Sequence, residues 1–453
     1  MNTSFFGDML QTIADRGRAL IDRGRNRYDS ANRRSESLVE LCEHLLSGRG
    51  EASGVALARE ILRRYDELTT GPRIAFFEAL ATRFGVDRGA LDKAVEAWRT
   101  SPTDEAAAEL HAAAEPRRQE LLRRLNLAPG GTAALVEMRE QLLDAMGHRD
   151  DLGALDADFV HMFAAWFNRG FLVLRRIDWS SPALILEKII RYEAVHEIEN
   201  WDDLRRRIDP PDRRCYAFFH PALVDEPLIF VEVALTPAIP DAIAPILDAK
   251  REPVNPDTAA TAVFYSISNC QRGLAGVSFG HFLIKQVVEE VSRELPKLST
   301  FVTLSPVPRF AEWLRKERTN AQSALSAEDR ETLATLDAPG WWREETNIPR
   351  LREPILRAAA NYFMHARGRG RMAYDPVARF HLGNGASLER LNWPGDMSDR
   401  GIKQANGLMV NYRYDLGEIE QNHEAYAENR TIVTSSAIKK LARPSVELVK
   451  TAD

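Results

Sequence analysis

The sequence predicts an α+β chain of two domains, with an all-α helical bundle over residues 1–168 and a mixed α/β domain over residues 169–453. Two observations support this division. Up to about residue 168, apolar residues recur every three or four positions, which is the period of a helix. After Gly170 they gather in short runs bounded by Pro, Asp and Gly, as in buried strands.

The predicted bundle is built from amphipathic helices. Apolar residues lie on one helical face in each of three segments, at residues 38–46, 58–68 and 135–146. A turn over residues 128–131 precedes the third segment, and Thr132 is placed to cap the helix that follows. This half shows no polar cluster that requires a catalytic explanation. We therefore expect it to act as a scaffold and to support self-association.

The second domain is predicted to mix strands and helices. Strands are expected at residues 171–174, 215–219, 228–235, 265–269 and in a segment that ends at Ser305. Helices are expected at residues 182–199 and 201–207, from Phe282 onward, and again at residues 323–368. The run 380–382 is interpreted as a strand that leads into a hairpin turn at 383–385. Strands at 388–393 and 407–414 and a helical tail follow.

Composition excludes several classes of protein. A chain of 453 residues with 44% hydrophobic residues can bury a sizeable core, and a net charge of -6 argues against binding to nucleic acid. No apolar stretch approaches the roughly 20 residues needed to cross a membrane. The three cysteines form no CxxC motif, and no histidine cluster has ligand spacing, so we expect neither disulfides nor a metal site. A reducing cytoplasm fits this pattern best.

A glycine-rich turn lies between the predicted strand at 265–269 and the helix that begins near Phe282. Gly273, Gly276 and Gly280 let the backbone approach a ligand closely, and free N–H groups at the helix start would face a phosphate. The spacing matches neither the Walker pattern nor the dinucleotide fingerprint. On this segment alone, glycines that merely permit a helix to pack closely on a sheet explain the pattern equally well.

Two further residues draw attention. Glu232 interrupts the apolar run 228–235, and two interpretations stay open: a buried acid with a raised pKa, or a residue that faces solvent on an edge strand. Cys270 abuts the glycine-rich turn, and we interpret it as a small buried thiol rather than a nucleophile. Neither residue identifies a reaction by itself.

Five segments spread over more than half of the chain carry distinctive motifs. They read FVEVALT, FYSISNCQRGLAGVSFG, TLSPVPRFAEWL, FHLGNGASLERLNW and GLMVNYRYDLGE. Together they resemble the malonyl-CoA decarboxylase family, from about Trp179 to Glu418. The resemblance implies a helical N-terminal domain followed by a catalytic domain similar to the GNAT class of N-acetyltransferases. It also implies a homo-oligomer, a dimer or a tetramer, formed through the helical domain.

The resemblance implies which residues bind the CoA portion of the substrate. In such folds a glycine-rich turn binds the pyrophosphate, a role that falls here on Ala275, Gly276, Val277, Ser278, Phe279, Gly280 and His281. The edge of the preceding strand pairs with the pantetheine amides, which implies supporting roles for Ser266, Asn269 and the nearby Gln271. The common acetyltransferase pattern Gln/Arg-x-x-Gly-x-Gly/Ala is not met, because Leu274 stands where its first glycine should be.

The resemblance also implies two catalytic residues and a reaction. Ser305 matches the serine of the Leu-Ser-Pro-x-Pro motif, His381 matches the histidine of the Phe-His-Leu-x-Asn-Gly motif, and Tyr414 is a neighbour of the site. The implied reaction converts malonyl-CoA into acetyl-CoA and carbon dioxide. It needs no metal or organic cofactor, because the thioester carbonyl accepts the electron pair as an enolate. With a reference pKa of about 6.5, His381 would protonate that enolate at neutral pH.

Two other functions stay open at this point. A CoA-dependent acyltransferase of the GNAT type would move an acyl group from CoA to an amine or a carrier thiol. A non-catalytic acyl-CoA sensor would signal to a partner through the helical half. Within the decarboxylase hypothesis, Ser305 either binds the malonyl carboxylate or relays the proton, or does both.

Overall fold

The structure, a computed structural model, describes residues 37–47, 50–277, 283–320, 322–323 and 325–442. Within them the chain forms two compact units. The first unit holds the chain up to Val173 together with residues 219–227 and 271–277. The second holds residues 174–218, 228–270 and the described chain from residue 283 onward. The limits predicted at residues 168 and 169 differ from this division, because two later segments pack with the first unit.

The first unit is helical, as its apolar spacing predicts. Its described helices are α1 (Leu38–Leu46), α2 (Glu51–Asp66), α3 (Thr70–Arg83), α4 (Arg88–Thr100), α5 (Asp104–Ala114), α6 (Arg117–Asn126), α7 (Gly131–Ala145) and α8 (Gly153–Trp166). Their apolar faces form a common core, in which Leu121, Leu135, Leu142, Phe159 and Phe163 are fully buried. Burial of this apolar area is the main force that holds the helices together.

The helix predicted after residues 128–131 is present as α7, but the prediction that Thr132 caps it is wrong. The helix begins at Gly131 and its N-cap position is Gly130. Thr132 already lies in the first turn, where its hydroxyl donates to Asn126 Oδ1 at 2.7 Å. The turn ends earlier than expected because its two glycines complete it without a side-chain cap.

The second unit is built on a mixed sheet. Its strands are β1 (Val173–Ile177), β2 (Arg213–Phe219), β3 (Pro227–Thr236), β4 (Thr261–Asn269), β5 (Thr300–Thr303), β6 (Ser305–Pro306), β7 (Ser387–Asn392) and β8 (Met409–Arg413). The strand order is β1-β2-β3-β4-β5-β8-β6, and β7 pairs with β8. Strands β4 and β5 run parallel, whereas β8 is antiparallel to β5, β6 and β7. These strands confirm the α+β class.

Helices surround the strands in the chain order of the second unit. They are α9 (Ala183–Tyr192), α10 (Trp201–Ile208), α11 (Ala244–Leu247), α12 (Leu283–Glu294), α13 (Phe310–Thr319), α14 (Ala327–Leu333), α15 (Asn347–His365), α16 (Pro376–Gly383), α17 (Asp399–Ala405), α18 (Ile419–Asn429) and α19 (Ser436–Leu441). One buried cluster on the sheet contains Ala234, Val263, Tyr265, Val302, Leu304 and Met409. In the described part of the chain, no helix is long and apolar enough to span a membrane.

Strand β4 carries a bulge where it parts from β5. Its pairing with β3 shifts from Glu232 opposite Ser266 to Val233 opposite Phe264, so Tyr265 is the extra residue. Its pairing with β5 covers only the four residues up to Phe264. A bulge bends a strand and increases its local twist, which accounts for the separation of β4 from β5 at this position.

The strand predicted at residues 380–382 is wrong, because these residues belong to helix α16. Asp375 is the N-cap and accepts hydrogen bonds from the backbone N–H groups of Val377 and Ala378, at 2.9 and 3.1 Å. Pro376 follows at the first helical position, which it favours because its φ is already helical. His381 therefore lies in the last turn of a short helix, directly before the turn that leads to β7.

Candidate active site

Ser305 lies at a break between two short strands. Strand β5 ends at Thr303, and β6 begins two residues later with Ser305 itself. Residues two apart on an extended chain point to the same face, so the hydroxyls of Thr303 and Ser305 lie side by side. The Ser305 hydroxyl donates to Thr303 Oγ1 at 2.9 Å. Both residues are buried, with only 5% of Ser305 exposed.

His381 contacts Ser305 from the end of helix α16. Its Nε2 lies 3.1 Å from Ser305 Oγ, and its Nδ1 lies 2.8 Å from the hydroxyl oxygen of Tyr414. The ring of Tyr412 stacks on the imidazole, with 4.5 Å between the ring centroids. The structure thus brings together the three residues predicted for the site, Ser305, His381 and Tyr414. A serine and a histidine in hydrogen-bond contact can hold and transfer a proton.

Burial controls the protonation of this site. It lowers the pKa of His381 to about 3, since the charged imidazolium would lose its hydration. The same effect raises the pKa of Tyr414 well above its ordinary value. At neutral pH the free protein therefore holds a neutral His381 with one ring proton and a protonated Tyr414. The expectation of an ordinary histidine pKa near 6.5 is wrong for the unliganded site.

This depressed pKa predicts how stability depends on pH. Below about pH 6.5 the unfolded chain binds a proton at His381, whereas the folded protein does not until about pH 3. Stability is therefore lost as pH falls through this window. We expect the unfolding free energy of His381→Gln to decrease by about 2 kcal/mol less than that of the wild type between pH 7 and pH 5. Urea unfolding at the two pH values measures this difference, and identical losses in both proteins would contradict a buried neutral His381.

The residues predicted to bind CoA fall in different parts of the chain. Ser266 donates to the buried carboxylate of Glu193 at 2.7 Å, and Asn269 lies exposed at the end of β4. These belong to the second unit, whereas Gln271 belongs to the first, where its amide donates to Pro227 O at 3.1 Å. The predicted residues Ser278, Phe279, Gly280 and His281 lie outside the described residues.

The described part of the glycine-rich turn, residues 273–277, packs against helix α7 in the first unit. A Cβ atom on Gly273 would lie 2.0 Å from Val136 O, so only glycine fits there. Arg139 donates to the carbonyl oxygens of Gly273 and Ala275, at 2.8 Å each. Gly276 has a φ of +78°, a conformation that other residues rarely adopt. For Gly273, close packing is therefore the reason for the glycine, although the partner is a helix rather than a sheet.

Glu232 is a buried acid, which settles the two interpretations left open by the sequence. It is fully buried on β3, and burial, together with the nearby Glu193, raises its pKa to about 8. Arg207 Nη1 lies 3.5 Å from its carboxylate. Cys270 is buried as expected. Among the described residues no group of histidine, cysteine and acidic side chains could hold a metal ion.

Sequence reasoning missed Thr303 and Tyr412 as parts of the site. Thr303 contacts Ser305, and Tyr412 stacks on His381. Each stands two residues before a residue that was identified, which is the spacing that places two side chains on one face of a strand. This period could have found both residues once the strands were assigned.

Comparisons with known proteins agree with this site. The chain matches the model of the malonyl-CoA decarboxylase C-terminal domain over residues 170–452 and that of the N-terminal domain over residues 84–167. A mitochondrial malonyl-CoA decarboxylase from Anser anser anser is 36% identical over 417 residues, which cover 84% of this chain and 82% of that protein. The corresponding protein from Mus musculus is 36% identical and covers 80% of each chain.

Solved structures give the same result. The crystal structure of a malonyl-CoA decarboxylase from Rhodopseudomonas palustris superposes with a TM-score of 0.86 at 60% identity, and the match covers 89% of this chain and 98% of that one. The crystal structure of the enzyme from Agrobacterium vitis gives a TM-score of 0.86 at 57% identity, covering 90% of this chain and 100% of that one. The chain belongs to the malonyl-CoA decarboxylase family.

Proposed function

We propose that this chain converts malonyl-CoA into acetyl-CoA and carbon dioxide through an enolate that receives its proton from His381. The observation that carries the proposal is the buried contact between His381 Nε2 and Ser305 Oγ, at 3.1 Å. Tyr414 holds the opposite nitrogen of the ring at 2.8 Å and so fixes its orientation. A proton donor in a fixed position is what the last step of this decarboxylation requires.

The reaction proceeds by cleavage of one carbon–carbon bond. The bonding electron pair moves into the thioester, carbon dioxide leaves, and an enolate remains. The enolate carbon then takes the proton of His381 Nε2, either directly or through the Ser305 hydroxyl, and solvent restores the proton to the site. Because the thioester carbonyl accepts the electron pair, the proposal includes no metal or organic cofactor.

The substrate itself adjusts the acidity of His381. In the free protein burial keeps the ring neutral at pH 7. A malonyl carboxylate within about 4–6 Å of the ring would favour the charged imidazolium and raise its pKa. Binding would then draw a proton into the site before the carbon–carbon bond breaks. After carbon dioxide leaves, that proton lies next to the enolate that consumes it.

The edge of β4 beyond its bulge is the proposed contact for the pantetheine arm. Strand β5 pairs with β4 only up to Phe264, so the backbone from Ser266 to Asn269 is not paired with β5 on that side. An extended ligand with amide groups can add to such an edge as a strand would. The assignment of the pyrophosphate to residues 275–281 rests on the resemblance of the motif.

Two coarser features complete the proposal. We propose a cytoplasmic location, which the absence of a disulfide among Cys42, Cys215 and Cys270 supports. We also propose a homo-oligomer formed through the helical unit. The mitochondrial location named for the two animal relatives belongs to those proteins.

Purified protein incubated with malonyl-CoA alone tests the function. We expect stoichiometric release of acetyl-CoA and carbon dioxide without any acyl acceptor. An acyltransferase would release free CoA only when an amine or a carrier thiol is added, and a sensor would bind malonyl-CoA without product. Either of these results, in place of acetyl-CoA, would overturn the proposal.

A further inference from the structure

Thr303 occupies a gap in the backbone ladder next to the site. Val302 pairs with Arg413 and Ser305 pairs with Val410, so both pairs share one register. The same register sets Thr303 opposite Tyr412. Backbone pairing stops there, because β5 ends at Thr303 and β6 begins at Ser305.

Side chains supply the hydrogen bonds that this gap lacks. The Tyr412 N–H donates to Thr303 Oγ1 at 3.1 Å, instead of to a backbone carbonyl. The amide of Asn411 donates to Thr303 O at 2.7 Å. Thr303 is fully buried, so its hydroxyl oxygen keeps these protein partners in place of water. The position of this oxygen is therefore fixed by the sheet itself.

The Ser305 hydroxyl donates to this fixed oxygen at 2.9 Å. A serine hydroxyl has one hydrogen, so Ser305 cannot donate at the same time to His381. The 3.1 Å contact with His381 Nε2 must then be a bond in which Nε2–H donates and Ser305 Oγ accepts. In a neutral imidazole the other nitrogen, Nδ1, becomes the acceptor for the hydroxyl of Tyr414.

We propose that Thr303 is a positioning residue of the decarboxylation, which sets the proton of His381 on Nε2 by accepting the hydrogen of Ser305. The inference rests on the proposed function, for which Nε2–H is the proton that the enolate takes. Without an acceptor at Thr303, Ser305 can donate to Nε2, and the ring proton then moves to Nδ1. In that arrangement the proton points to Tyr414 and away from Ser305.

Thr303→Val tests this role, since it replaces the hydroxyl by a methyl group of similar shape. We expect kcat for malonyl-CoA to fall by about 10- to 100-fold, the range for loss of one hydrogen bond to a group that becomes charged. KM should change by less than about threefold, since Thr303 makes no proposed contact with CoA. Thr303→Ser keeps the hydroxyl and should restore kcat to within about threefold of the wild type. Thr300→Val, the same change three residues earlier on β5, is the matched control with wild-type kcat.

A double-mutant cycle separates positioning from general damage to the sheet. If Thr303 acts through Ser305, Thr303→Val should lower kcat in the wild type but cause no further loss in the Ser305→Ala background. An equal loss in both backgrounds, or a wild-type kcat in Thr303→Val, would overturn the proposal. Should the valine variant not fold, Thr303→Cys replaces it, because a thiol is a weak acceptor. A wild-type kcat in that variant contradicts the proposal as well.

The outcomes also distinguish this inference from the proposed function. If the wild type releases no acetyl-CoA from malonyl-CoA, the proposed function fails. If the wild type is active and Thr303→Val keeps its kcat, only the role of Thr303 fails.

Discussion

Replacing His381 by glutamine is expected to lower the turnover of malonyl-CoA by about 10²–10⁴-fold, the range for loss of a general acid. The amide of glutamine can keep a hydrogen bond to Ser305 or Tyr414, but it has no proton of useful acidity. Affinity for CoA should stay within a few-fold of the wild type, since His381 contacts only residues at the chemical end of the site. Steady-state kinetics on malonyl-CoA and calorimetric titration with CoA measure the two quantities separately.

His365→Gln is the matched control for this experiment. The same substitution then falls on an exposed histidine at the end of α15, which the proposed mechanism does not use. It should retain wild-type kinetics. If His381→Gln also turns over malonyl-CoA at the wild-type rate, His381 is not the proton donor. A large loss of CoA affinity would instead show that His381 acts in binding.

Ser305→Ala is the second large effect, with an expected fall in turnover of about 10²-fold or more. The hydroxyl accounts for the 3.1 Å contact with His381 and the 2.9 Å contact with Thr303, and alanine removes both. The kinetic constants distinguish its two possible roles. A fall in kcat at constant KM indicates that Ser305 relays the proton, whereas a rise in KM indicates that it binds the malonyl carboxylate.

Ser299→Ala serves as the control for Ser305. Ser299 lies just before β5 on the same segment, is exposed, and makes only a 3.4 Å side-chain bond to Ala260 O. Its removal should leave both constants unchanged. Wild-type kcat and KM in Ser305→Ala would show that the hydroxyl has no part in the reaction.

Much of the fold could be predicted from the sequence, because its signals are local. The helical spacing of residues 38–46 and 135–146 gave α1 and α7, and the apolar run 228–235 lies within β3. The strand assigned to residues 380–382 failed for a local reason as well. The Asp375-Pro376 pair marks a helix start, and this signal outweighs the glycine-rich turn that follows.

The site could be predicted only in part. Motif resemblance identified Ser305, His381 and Tyr414, but it could not show that burial lowers the pKa of His381 to about 3. That shift arises from residues distant in sequence that close around the ring, such as Tyr412. The role of Gly273 was equally out of reach, because its packing partner Val136 lies far away along the chain.

The central claim is that an enolate formed from malonyl-CoA receives its proton at His381. Reaction in deuterated water, followed by mass spectrometry of the product, tests it most directly. We predict that the wild type forms acetyl-CoA with one deuterium in the methyl group, and that His381→Gln forms this product at least about 100-fold more slowly. Unlabelled acetyl-CoA from the wild type, or labelled product at the wild-type rate from His381→Gln, would contradict the claim.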